Sequence, residues 1–195
     1  MDNIIFGITG THGAGKGTSV DFFASRRFRH CSCREFLWSA VDSRGLPRNR
    51  TSLNIVANEL REKFGAEYVA FSVYLQARQV GGNAIVESIY TVGEIQKIRA
   101  DAQLAGDRFI LVAVDADQKL RYDRIMARKS ETDRITFEEF QAQEARELAN
   151  EDPSKHNLVA CAKLADKSFP NNGTVEELHA ALEALLDELM AGASA

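Results

Sequence analysis

A chain of 195 residues, 45% hydrophobic and 27% charged, is long enough to bury one full core and has the composition of an ordinary globular protein. Its formal net charge of -4 argues against a nucleic-acid polymer as the main partner, because phosphate backbones need a basic face, yet it leaves room for a local basic pocket around a small phosphate ligand. Cys31, Cys33 and Cys161 form neither a disulfide framework nor a zinc spacing, and no apolar run approaches the length of a membrane span, so the expectation is a cytoplasmic protein without membrane contact.

The first apolar run, residues 3–9, has the pattern of a strand. It leads into Gly10-x-x-x-x-Gly15-Lys16 and a helical segment over 16–27. Further strand-like runs follow at 28–33, 83–88 and 108–115, with a weaker one at 165–170. Cys31 and Cys33 are expected to be small buried hydrophobes on one face of the second of these. Helical periodicity marks 34–44, 51–64, 67–80, 92–105, 117–129, 137–150 and 175–190. Three Thr-x-x-Glu capping boxes, Thr91/Glu94, Thr136/Glu139 and Thr174/Glu177, set helix starts. This alternation predicts an α/β fold: a three-layer sandwich around a five-stranded parallel sheet, ordered 2-3-1-4-5, in a single domain over 1–195.

The stretch between the first strand and first helix carries the strongest signal. Glycines at Gly10, Gly13 and Gly15 let successive amides turn inward, and Ala14 and Gly17 are counted with them as nucleotide-binding loop residues. The helix that follows presents unpaired N–H groups and a positive dipole end to an anion. Lys16 adds a mobile charge for the β- and γ-phosphates of a nucleotide. Many proteins with this loop carry Ser or Thr directly after the lysine as a magnesium ligand; here the order is Lys16-Gly17-Thr18. His12 lies inside the loop, as a spacer or as a phosphate contact.

"GAGKGT" resembles the loop of P-loop nucleoside-monophosphate kinases such as adenylate kinase, and the resemblance covers nearly the whole chain. It is closest to nucleotide-kinase-like proteins related to adenylate kinase and dephospho-CoA kinase. "HCSCREFL", "NAIVESI", "ILVAVDADQKLRYDRIMAR" and "ADKSFPNNGT" occur in the family's order. The resemblance implies the P-loop nucleoside triphosphate hydrolase fold, ATP and Mg²⁺ as cofactors, and transfer of the γ-phosphoryl to a small nucleotide-like acceptor. It implies that Thr18 contacts nucleotide phosphate and, with the metal held largely through waters, lies beside Mg²⁺. A nucleoside or deoxynucleoside monophosphate is the expected acceptor. Dephospho-CoA or another hydroxyl acceptor, and a regulator that holds nucleotide without turning it over, are the alternatives. No oligomeric state follows from the sequence.

Glu87 ends the third strand, where ligands sit in such sheets. It can hold the water shell of Mg²⁺ or cap the next helix. Related kinases usually carry Asp-Gly where this chain has Glu87-Ser88. Arg121, Arg124 and Arg128 share one helix face, and with the polar segment after them, including Arg134, they resemble a short lid over about 128–136. Arg128 and Arg134 are candidates for stabilising the transferred charge and Arg124 for nucleotide binding, whereas Arg121 is expected on the solvated surface. By resemblance, "PNNGT" at 170–174 lies beside the adenine ring, with Gly173 permitting close approach; a helix-entry turn capped by Thr174 explains the same residues.

The acceptor side departs from the family. Two arginines that grip the acceptor phosphate there fall on Trp38 and Tyr90 of this chain, with Arg34 and Glu35 beside the first. Arg34, Arg44, Arg48, Arg50 or Arg61, on or near the helices over about 34–80 that cover the acceptor, are possible substitutes.

Overall fold

The computed structural model describes residues 4–128, 136–148 and 155–191. Strands and helices alternate: β1 (Ile4–Gly10), α1 (Lys16–Ser25), β2 (Arg29–Ser32), α2 (Cys33–Ser43), α3 (Arg50–Phe64), α4 (Tyr68–Val80), β3 (Ala84–Glu87), α5 (Val92–Ala105), β4 (Arg108–Asp115), α6 (Gln118–Ala127), α7 (Phe137–Leu148), α8 (Leu158–Lys163), β5 (Lys167–Pro170) and α9 (Val175–Ala191). The five strands form one sheet in the order β2-β3-β1-β4-β5, every neighbouring pair parallel. Fold class and strand order are those read from the sequence.

Every residue of β1 is buried, as a central strand covered on both faces requires. Alternate side chains feed two cores. Ile4, Phe6 and Ile8 join Ile85, Ile110, Val112 and Val114 against Phe22 and Phe23 of α1 and Leu182 and Leu185 of α9. Ile5, Val86 and Leu111 face the other way, onto Val73 and Tyr74 of α4, Ile95 and Ile98 of α5, and Cys161 of α8. All three capping boxes are present.

Two local expectations are corrected. The second strand stops at Ser32, because the Ser32 hydroxyl accepts the Glu35 amide and starts α2. Cys33 is therefore a buried helix residue, its thiol pushed up by burial, while Cys31 stays half-buried on β2. The short helix α8 was not expected, since six residues are too few to show a period.

The register aligns the strand ends that matter. Glu87 pairs with Ile8 on one side and with Ser32 on the other, and Gly10 pairs with Val114 beside Asp115. One carboxyl edge thus carries the glycine loop, a glutamate and an aspartate.

Candidate active site

The glycine loop is held from three directions. The Thr11 hydroxyl donates to the Asp115 carboxylate at the end of β4. The Asn171 side-chain amide, from the β5–α9 turn, donates to the Ala14 carbonyl at 2.8 Å. Gly13 packs on α6. Its φ is +81°, and a Cβ there would lie 2.6 Å from the Arg121 carbonyl oxygen. Gly15 has φ +110° and abuts the Asn171 amide. Both positions need glycine twice over, for the left-handed backbone and for the close neighbour.

Gly15 is also the N-cap of α1, so no side chain caps the helix, and its first turn contains no acidic residue. Helix geometry leaves first-turn N–H groups without intrahelical partners, and their dipoles add to a positive end. This donor set fits an anion. Lys16 sits at the same mouth, its Nζ donating to the carbonyls of Gly10 and Thr11 at 2.8 Å each and lying 5.5 Å from the centre of the Tyr90 ring. Thr18 is half-buried two residues on. Gly17 is exposed, and a Cβ there would meet nothing within 4 Å. The backbone would accept a serine, so the glycine reflects no steric demand. His12 is exposed, and its carbonyl accepts from Arg121.

Beside the loop, Glu87 Oε1 accepts from the Ser32 hydroxyl at 2.9 Å and lies 3.3 Å from His30 Nε2. The His30 hydrogen bond, helped by Ser32, holds the Glu87 carboxyl below its ordinary value against the opposing effect of burial. The same bond raises the His30 imidazole. Neither partner was singled out in the sequence. Ser88 next to it has φ +69° and accepts from the Tyr90 hydroxyl at 3.3 Å. Tyr90 is half-buried; the His156 ring packs on it at 4.9 Å, and its carbonyl accepts the Asn157 amide.

At the β5–α9 turn, Arg124 donates to the carbonyls of Asn171 at 2.9 Å and Gly173 at 3.3 Å, so α6 and this turn are joined. Arg128 is exposed at the end of α6. Arg134 and residues 129–135 of the expected lid lie outside the described residues. Arg121 is not on the surface: it is 4% exposed and paired with Glu144 of α7. Helical spacing puts three arginines on one face but does not say what packs there, and α7 covers the first of them.

No family model matches the chain. A UPF0200 protein of Thermococcus sibiricus is 27% identical over 189 residues, 95% of each chain. Among solved structures, the Mycobacterium tuberculosis APS kinase, in complex with AMPPNP and APS, superposes with a TM-score of 0.54 at 14% identity, covering 95% of this chain and 98% of that one. Shikimate kinase from Bacteroides thetaiotaomicron gives 0.54 at 14%, covering 96% and 99%. The fold is that of the P-loop kinases.

Within this P-loop kinase fold the residues expected on the acceptor side are not gathered into one cluster. Arg34 and Glu35 are exposed on the first turn of α2. Trp38 is half-buried, with the Arg48 guanidinium 5.7 Å over its ring. Arg48 is paired with Asp42, and Arg44 with Glu59. His30, Ser32 and Glu35 share a 530 Å³ cavity at the sheet edge with Phe36, Gln76 and Gln79. Tyr90 is instead drawn over the glycine loop. Among the described residues no three His, Cys, Asp or Glu side chains gather as a metal site, and no helix is long and apolar enough to cross a membrane.

Proposed function

We propose that this P-loop kinase-like protein is an ATP- and Mg²⁺-dependent phosphotransferase that moves the γ-phosphoryl group of ATP to a small nucleotide-like acceptor, first of all a nucleoside or deoxynucleoside monophosphate. The carrying observation is the uncapped α1 N-terminus behind Gly15, with Lys16 at its mouth and the loop pinned by Asp115, Arg121 and Asn171.

Bound ATP and Mg²⁺ would supply the phosphoryl group and the charge that screens it. The chain's contribution is binding, orientation and charge placement. The loop amides from Gly10 to Thr18 and the α1 terminus hold phosphate oxygens. Lys16 exchanges its carbonyl partners for a phosphoryl oxygen, and Arg128 adds positive charge from α6. Arg124 and Gly173 form the wall for the nucleoside. Thr18 and Glu87 would hold the metal, through its bound waters. Arg34, Glu35, Trp38 and Tyr90 are assigned to the acceptor. ATP is also the nucleotide type whose analogue, AMPPNP, the superposable APS kinase structure contains.

A second reading, a hydroxyl acceptor such as dephospho-CoA, is favoured by one feature. Glu87 is ionised and buttressed by His30 and Ser32, a carboxylate that an alcohol uses and an anionic phosphate does not need. A coupled ADP-release assay with Mg-ATP, against nucleoside and deoxynucleoside monophosphates, nucleosides and dephospho-CoA, separates the two. Turnover with monophosphates alone supports the first, and turnover with hydroxyl acceptors alone replaces it. Tight nucleotide binding with no turnover on any acceptor would identify a nucleotide-binding regulator instead.

A further inference from the structure

We propose that Arg121 and Glu144 are positioning residues that couple the shape of the glycine loop to the docking of α7, a role that rests on reading the loop as the nucleotide-phosphate site. Arg121 is 4% exposed and Glu144 is 5% exposed, which makes theirs a buried ion pair. Such a pair is a poor way to gain stability, because desolvating two charges offsets most of their attraction and two apolar side chains would pack the helices as well. What it adds is geometry. A guanidinium holds its donors in a rigid plane, so every partner it touches is fixed relative to the others.

Those partners span three segments. Arg121 Nη1 and Nη2 engage both Glu144 oxygens, the second at 3.0 Å. Nε donates to the Ala116 carbonyl at 2.7 Å, just after β4. Nη1 also donates to the His12 carbonyl, inside the loop, at 3.3 Å. The Arg121 main chain makes a second, independent contact with the loop, since Gly13 is packed against its carbonyl. On the far side, Glu144 Oε2 accepts from Gln118 Nε2 at 2.7 Å, and Gln118 in turn accepts from Gln141 at 2.9 Å. The two helices are thus registered by a polar ladder that ends on the carbonyl of His12.

A shift of α7 therefore has to move the guanidinium or break the pair, and a moved guanidinium releases the His12–Gly13 turn. Linkage makes the effect reciprocal: whatever α7 docking contributes to nucleotide affinity, bound nucleotide contributes to α7 docking. Loss of the pair is expected to weaken nucleotide binding without touching any group that contacts nucleotide.

The test uses the full chain and Mg-ADP, which binds without chemistry. Glu144→Gln keeps size and one hydrogen-bonding oxygen; Arg121→Lys keeps charge and loses the planar fork; Ile98→Ala, in the opposite core, supplies comparable destabilisation. Calorimetry gives ADP affinity, and amide exchange over 137–148 with and without ADP reports α7. The expected result is that ADP slows α7 exchange in the wild type, that Glu144→Gln and Arg121→Lys weaken ADP about tenfold or more and abolish that slowing, and that Ile98→Ala changes neither. Should Arg121→Lys fail to fold, Glu144→Gln decides alone. Wild-type affinity with intact α7 protection in Glu144→Gln overturns the coupling and leaves the nucleotide site standing, as does equal loss in Ile98→Ala. A wild type that binds no ADP overturns both.

Discussion

The Lys16 ammonium lies 5.5 Å from the centre of the Tyr90 ring, so the residue proposed above for the acceptor roofs the P-loop lysine. An aromatic face offers a cation a modest electrostatic well and an acceptor a stacking surface, but no bidentate grip on phosphate. Replacing the ring by a guanidinium should therefore change which acceptors are held. Tyr90→Arg is expected to lower KM for nucleoside monophosphates about tenfold, while Tyr90→Phe leaves KM close to wild type. Steady-state kinetics with AMP, CMP, UMP, GMP and their deoxy forms check this. Unchanged KM in Tyr90→Arg removes Tyr90 from the acceptor site.

Ser88 holds a left-handed backbone, φ +69°, a conformation that favours glycine. That conformation costs an L-residue about 1–2 kcal/mol. Ser88→Gly removes the steric cost and adds unfolded-state entropy, so its net effect should be within about 1 kcal/mol of zero. Ser88→Val, β-branched, should lose about 2 kcal/mol or more. Urea unfolding of the two variants decides; a valine variant as stable as the wild type would show that this turn is not strained.

The His30–Glu87 contact makes stability depend on pH in a predictable direction. His30 is raised from 6.5 in the folded state, so its contribution is complete below that value and is lost as pH rises through the folded value. Glu87 is lowered from 4.5, so its contribution is complete above that value and is lost as pH falls through the folded one. The pair contributes most between 4.5 and 6.5. His30→Gln should lose stability at pH 5.5 and little at pH 8.5, flattening the profile between them. A parallel profile for wild type and variant, measured by chemical denaturation, would show that the imidazolium does not hold Glu87.

The sequence made the sheet order legible because β1, β3 and β4 are apolar and separated by helical periods, and because the glycine loop marks which strand is central. The loop itself was legible because its requirements are local: Gly13 and Gly15 need their backbone freedom within three residues of Lys16. What holds the loop was not legible. Asn171 reaches Ala14 across 157 positions, Asp115 reaches Thr11 across 104, and Glu144 meets Arg121 across 23. No periodicity spans such distances. His30 was passed over for the same reason, since an edge-strand imidazole becomes notable only once the register places Glu87 beside Ser32. His156, packed on Tyr90, follows residues 149–154, which lie outside the described structure, and nothing in its own neighbourhood marks it.

Lys16 is proposed to complete a phosphate site that transfers a phosphoryl group. Removing one preorganised charge from such a site costs a few kcal/mol, about a hundredfold or more in rate. The most direct measurement is Mg-ATP turnover with the best acceptor, comparing wild type and Lys16→Ala at matched fold, checked by circular dichroism and thermal unfolding. Turnover is expected to fall by about a hundredfold or more while the melting curve is retained. A correctly folded Lys16→Ala variant with near-normal turnover would contradict it.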